Sequence, residues 1–354
     1  MARAALLVFV PISVLLAWVV EAPALAVFAT ASLAIVPLAA GTQRATEELA
    51  KCAGPAIGGL LNVTFGNVPE LVLALFVLAA GKPEVVKGQI TGAIIGNGLL
   101  GLGLAIVAGT WRRHRQTFNQ DQAGLLTSLL FLCMIALLVP AMFVYSQREL
   151  AARPIAAQAN MHLSLAVSIV LIGVYAANLL YTLVTHRDIF ATHETRQKAD
   201  WPAWFATGVL LGSAALTALE AELVSAALEP AAERLGLTPL FLGIVVLAIV
   251  GNVAEYFSAI AFARRDDLGL AMNITIGSTI QVALLVAPLL VLLSHVIGYP
   301  MDLVFANPLE LIAIAAVALV VTTIAHDGQA TWFEGVMLLS VYAILGVAFF
   351  FATP

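Results

Sequence analysis

The sequence predicts an all-α polytopic membrane protein: eleven transmembrane helices, arranged as one accessory helix plus two inverted five-helix repeats. Three observations lead there. The 354 residues are 62% hydrophobic and only 10% charged, with a mean hydropathy of +1.01, far outside the soluble range. The apolar residues fall into eleven runs, each near the roughly 20 residues that a spanning helix needs. A five-residue stretch also occurs twice, as Gly66-Asn67-Val68-Pro69-Glu70 and as Gly251-Asn252-Val253-Ala254-Glu255.

The runs cover residues 3–20, 24–40, 54–80, 88–110, 122–145, 161–184, 204–228, 240–263, 270–296, 305–326 and 332–352. The first ends at Glu21 without a small-residue cleavage pattern and reads as a retained helix. Placing the N-terminus in the cytoplasm leaves only Lys82, Lys87, Arg148, Arg153 and Arg234 outside, out of 16 Lys and Arg. The positive-inside rule therefore sets the N-terminus in and the C-terminus out. Runs two to six and seven to eleven hold five helices each. An odd number makes the second half enter the membrane in the opposite sense, which defines an inverted repeat.

Residues 1–22 then form the accessory helix, 23–186 the first repeat, 187–203 a cytoplasmic linker and 204–354 the second repeat. Two weaker pairs accompany the motif. Glu47-Glu48-Leu49-Ala50 answers Ala221-Glu222-Leu223-Val224, and Gly173-Val174-Tyr175 answers Ser340-Val341-Tyr342.

Composition also narrows the function. A net charge of −5 with no basic stripe speaks against nucleic acid, and Cys52 and Cys133 stand apart without a CxxC, so neither a thiolate metal site nor a disulfide framework is indicated. No HExxH occurs, and the six histidines lie near run ends, which leaves no intramembrane hydrolase. We expect a transporter rather than an enzyme, without a cofactor.

Each motif copy puts a carboxylate in the middle of an apolar run, where an ionised side chain costs at least about 2.5–3.5 kcal/mol. Asn and Glu three positions apart share one helix face. Asn67, Glu70, Asn252 and Glu255 thus converge, where the repeats cross, into an all-oxygen site carrying up to two negative charges. Hard divalent cations such as Ca2+ take such oxygens, whereas transition metals favour His or Cys. Backbone carbonyls and water must complete the shell. Pro69 has no N–H, so the Phe65 carbonyl loses its helical partner and becomes available to a cation; the blander reading of Pro69 is a simple kink.

The following runs carry Asn97 and, in the other half, Ser278 and Gln281, which read either as ligands or as hydrogen bonds across the bundle. Glu47 and Glu222 read as polar cation entrances or as helix ends in water. Glu220 and Glu310 have no assigned role. Protonation of Glu70 and Glu255 removes the same charge that one divalent cation offsets, so cation and protons compete for one pair of groups.

At these residues the chain resembles the calcium/cation–proton exchanger family, the proton-coupled branch of the calcium:cation antiporters, over nearly its whole length. The likeness is carried by Gly58-Gly59-Leu60-Leu61-Asn62-Val63-Thr64-Phe65 running into GNVPE, GNVAE followed by Ser258-Ala259, Thr46-Glu47, Thr185-His186, Ile276-Gly277-Ser278 to Gln281, and Asp327-Gly328 with Trp332-Phe333-Glu334-Gly335. The resemblance implies the eleven-helix inverted repeat, and Glu70 and Glu255 as shared ligands of calcium and protons. Ala93 and Gly96 stand where the family usually has serines, Pro69 replaces a usual alanine, and residues 187–200 mix both charge signs instead of forming an acidic helix.

The partners implied are Ca2+, protons and the bilayer of a prokaryotic cytoplasmic membrane, with a homo-oligomer compatible with all of these. A sodium-coupled exchanger of the same superfamily is the nearest alternative, favoured by Pro69-Glu70 and opposed by GN in place of that branch's GTS and GTN. A divalent cation channel is the more distant one.

Overall fold

In a computed structural model, the structure describes residues 6–53, 58, 60, 61, 64–146, 154–185, 199–305 and 307–352, the side chains of 154–158 excepted. The start of the first run, much of the first half of the third, the loop 147–153 and the linker 187–198 lie outside the described residues.

Apart from the helical residues just before the motif turn, the described residues form eleven helical elements, in order: α1 (Leu6–Trp18), α2 (Ala24–Ala53), α3 (Val68–Ala79), α4 (Pro83–Thr110), α5 (Gln120–Ser146), α6 (Pro154–Leu180, extended by Tyr181–Thr185), α7 (Ala203–Leu235), α8 (Pro239–Arg264), α9 (Leu268–Ile297), α10 (Pro308–Ala325) and α11 (Trp332–Phe351). Among the described residues, nine of them are long and apolar enough to cross a membrane, whereas α1 and α3 are shorter apolar helices.

Local chemistry sets their ends. Pro83 and Pro308 occupy first turns, where a missing N–H costs nothing. Thr331 and Glu334 close a capping box on α11. Gly236 and Gly298 end α7 and α9 at φ 67° and 90°, a conformation that glycine adopts without strain.

The inversion is visible in the side-chain register. A Cβ built on Gly41 in α2 would lie 2.9 Å from Ser213 Oγ in α7, and Glu48 further along α2 accepts from the backbone of Asp200 and Trp201 just before α7. These matched first helices therefore run antiparallel. So do the matched third helices α4 and α9, since Asn97 meets Ser278 while Gly101 faces Thr275. Helices α4 and α8, by contrast, run parallel, as an inverted repeat requires of helices one place apart in the two halves: Gly88 meets Leu240 and Gly109 meets Ala263.

Glycines make this crossing close. A Cβ on Gly92 would come within 2.6 Å of Ala248 Cβ, and one on Gly243 within 2.7 Å of the Val85 carbonyl. Such small-residue contacts let backbones approach where lipid supplies no hydrophobic drive. Outside the bundle, β1 (Gln116–Thr117) pairs antiparallel with β2 (Gln329–Ala330) and ties the α4–α5 loop to the α10–α11 loop.

The apolar runs misplace some ends. Helix α2 continues past residue 40 to Ala53, and α7 past 228 to Leu235, because Glu, Lys and Arg are good helix formers that hydropathy does not credit. The third run is not one continuous helix.

Candidate cation and proton site

The two motif copies fold differently. In the first, Thr64 and Phe65 are helical, Gly66 and Asn67 turn, and α3 begins at Val68 with Pro69 and Glu70 in its first turn. Pro69 therefore sits in the first turn of a new helix instead of kinking a continuous one. Glu70 at a helix N-terminus also meets the positive end of the helix dipole. In the second copy, Gly251 to Glu255 lie inside unbroken α8, and Asn252 Nδ2 donates to the Ala248 carbonyl one turn back at 2.8 Å.

The copies nevertheless meet. Glu70 is buried, and its Cγ lies 3.1 Å from where a Cβ on Gly251 would stand. The glycine of one copy thus makes room for the glutamate of the other. Glu255 follows Gly251 by one helical turn on the same face of α8, which brings it beside Glu70.

A chain of hydrogen bonds spans the crossing. Asn97 Nδ2 donates to Asn252 Oδ1 at 2.7 Å and to Ser278 Oγ at 2.9 Å. Ser278 Oγ donates to Asn67 Oδ1 at 3.2 Å, and Asn67 Nδ2 donates to Gln281 Oε1. All four bonds join one repeat to the other. Asn97 and Gln281 sit at π-helical turns, Asn97 within Gly96–Gly101 of α4 and Gln281 just before Val282–Val286 of α9. Such widened turns are frequent at functional sites.

The oxygens left over define what the site can hold. Asn67 Oδ1 and Asn252 Oδ1 are occupied as acceptors, while Glu70 Oε2, Glu255 Oε2 and Asn97 Oδ1 are buried without a partner. Unsatisfied buried acceptors are costly unless something arrives to fill them. Asn97, read as a secondary residue from sequence, thus offers a freer oxygen than either motif asparagine. Among the described residues no three His, Cys, Asp or Glu side chains cluster as a metal site, so oxygens beyond the two carboxylates must come from amides, hydroxyls, backbone or water.

Other sequence candidates stand apart. Glu47 on α2 and Glu222 on α7 are exposed, and Phe65 is half-buried before the motif turn. Sequence reasoning missed Gln89, whose Nε2 donates to the Glu70 carbonyl at 3.2 Å, and Gln43, which donates to Ser258 one turn beyond Glu255 at 3.0 Å. It also missed Tyr256, buried with its hydroxyl unpartnered against Gly96 and its ring against Gly101. Gly96 and Gly101, five positions apart in α4, were the available signal.

This arrangement defines a multi-pass membrane protein whose two oppositely oriented halves close around two glutamates, each with a buried carboxyl oxygen. The chain belongs to the sodium/calcium exchanger protein family, which it matches over residues 23–184 and 205–351.

It is 42% identical to a Ca(2+)/H(+) antiporter of Aphanothece halophytica over 98% of this chain and 95% of that one. It is also 37% identical to a Ca(2+)/H(+) antiporter of Bacillus subtilis, over 96% of each. A solved structure of the Ca2+/H+ antiporter protein YfkE superposes with a TM-score of 0.84 at 34% identity, over 98% of both chains.

Proposed function

We propose that the protein is a secondary antiporter that exchanges Ca2+ for H+ by alternating access, with both cargoes using Glu70 and Glu255. The single observation that carries this reading is the buried, unpartnered oxygen on each of two glutamates that meet where the repeats cross. Two charges in a low-dielectric crossing are offset by one divalent cation or by two protons, and are unfavourable when neither is present. A carrier that moves only in its neutral states is an obligatory exchanger. Asn97, Asn67, Asn252, Ser278 and Gln281 hold the pair in register and supply further oxygens as the amides turn. The amide network joins the two repeats, so binding and rearrangement of the halves act on the same residues.

The protein in this reading carries out no covalent chemistry and needs no cofactor. It sits in the cytoplasmic membrane with the N-terminus inside and the C-terminus outside, and its halves divide at the 187–203 linker. The relatives named as Ca(2+)/H(+) antiporters support proton rather than sodium coupling. Calcium uptake into vesicles carrying only a proton gradient, then only a sodium gradient, tests this. Uptake driven by sodium alone would transfer the protein to the sodium-coupled branch.

A further inference from the structure

Helix α1 has no counterpart in the repeats and contains no charged residue between Leu6 and Trp18, yet it places Ser13 in complete burial against α7. There Ser13 Oγ lies 2.9 Å from Oε1 of Glu220, which is also fully buried. The same hydroxyl lies 2.8 Å from the Val10 carbonyl of its own helix. A serine hydroxyl has one proton to donate, and here it faces two oxygens. If that proton goes to the Val10 carbonyl, the usual habit of serine in a membrane helix, the contact to Glu220 needs a proton on the carboxyl. Glu220 then donates and Ser13 accepts.

The surroundings point the same way. Glu220 Oε2 has no partner, and no Lys or Arg pairs with Glu220 among the described residues. An orphaned carbonyl oxygen of a neutral acid costs far less than an orphaned carboxylate oxygen. The helices packed on α7 bring no counter-ion. Helix α1 is uncharged. The charged residues of α2, namely Arg44, Glu47, Glu48 and Lys51, lie at its last turns beside Asp200, the end of the antiparallel pair away from Glu220. Helix α3 brings Glu70, and Lys82 just after it is held by the Ser225 carbonyl and Glu229. The first turn of α8, Pro239–Phe241, is uncharged, and on α7 itself the neighbouring Glu222 faces outward.

We propose that Glu220 is a second intramembrane proton-binding site, occupied in this conformation, which fastens the accessory helix to the second repeat independently of Glu70 and Glu255. Infrared spectra of the full-length protein in lipid at neutral pH test it. The neutral-acid carbonyl band should lose one component in Glu220→Gln, and Ser13→Ala, which keeps the acid but removes its partner, should shift that component. Loss of an ionised-carboxylate band in Glu220→Gln instead, or no shift in Ser13→Ala, overturns the proposal. Proton release on adding calcium should persist in Glu220→Gln. A fall like that of Glu70→Gln would place Glu220 in the exchange site and overturn its independence.

Discussion

Glu70 rests on Gly251: the glutamate of the first motif copy occupies the space where the second copy would carry its first side chain, with Glu70 Cγ 3.1 Å from that position. The two copies therefore meet in one contact, and the glycine at Gly251 has a steric reason beyond helix packing.

Adding a methyl at Gly251 should move Glu70 without removing its charge. Overpacking of this kind costs about 1–3 kcal/mol. Gly251→Ala should therefore weaken apparent calcium affinity on the order of tenfold, equivalent to about 1.4 kcal/mol, with the protein still folded. Calcium titration followed by intrinsic fluorescence checks it, and unchanged affinity would remove Gly251 from the site.

Asn97 uses both amide protons to join Asn252 and Ser278. Asn97→Leu leaves those acceptors unpaired inside the membrane, at about 1–3 kcal/mol, and deletes the unpartnered Oδ1. We expect a lower melting temperature in detergent together with reduced calcium binding. Gln281 accepts a single bond from Asn67 in that chain, so Gln281→Ala should do less on both measures.

Gly92 tests the crossing and not the chemistry. A Cβ there meets Ala248 Cβ at 2.6 Å and also the backbone of Ile244, which cannot yield as a flexible side chain can. Gly92→Val should lower the yield of folded protein sharply, as read by size-exclusion profile, whereas the same change at Gly277, where nothing lies within 4 Å, should be tolerated.

The architecture was legible because two signals were strong. Membrane burial writes long apolar runs, and the paired motif located the crossing and four residues near it. Asn97, Ser278 and Gln281 were legible as polar residues at matching depth, but not their bonding order, which depends on rotamers that no spacing encodes. The choice between Glu220 and Glu222 illustrates a different loss. The buried face of α7 repeats through Leu210, Ser213, Thr217, Glu220 and Val224 at helical spacing, and Glu222 falls off it. Matching Glu222 to Glu47 by repeat alignment selected the exposed acid, whereas the helical period selects the buried one. In the same way Glu48, buried and holding Asp200 and Trp201, was passed over for exposed Glu47. The break before α3 is half visible in Pro69, but the turn that Gly66 and Asn67 complete depends on three-dimensional context.

Substitution of either glutamate by its neutral amide separates charge from shape. Glu70→Gln and Glu255→Gln should each abolish exchange, because one carboxylate leaves a divalent ion half compensated. Asn67→Ala and Asn252→Ala should only weaken binding. Calcium flux into reconstituted vesicles distinguishes the two classes.

The shared use of Glu70 and Glu255 by calcium and protons is tested most directly by proton release. Calcium binds the deprotonated pair, so protons compete with it: apparent calcium affinity must fall as pH is lowered, and calcium must expel protons by the reciprocal relation. Purified protein in weak buffer at mildly acidic pH should acidify the medium when calcium is added, and Glu70→Gln and Glu255→Gln should each release fewer protons. Release unchanged in both variants would contradict the account and place the coupling on other residues.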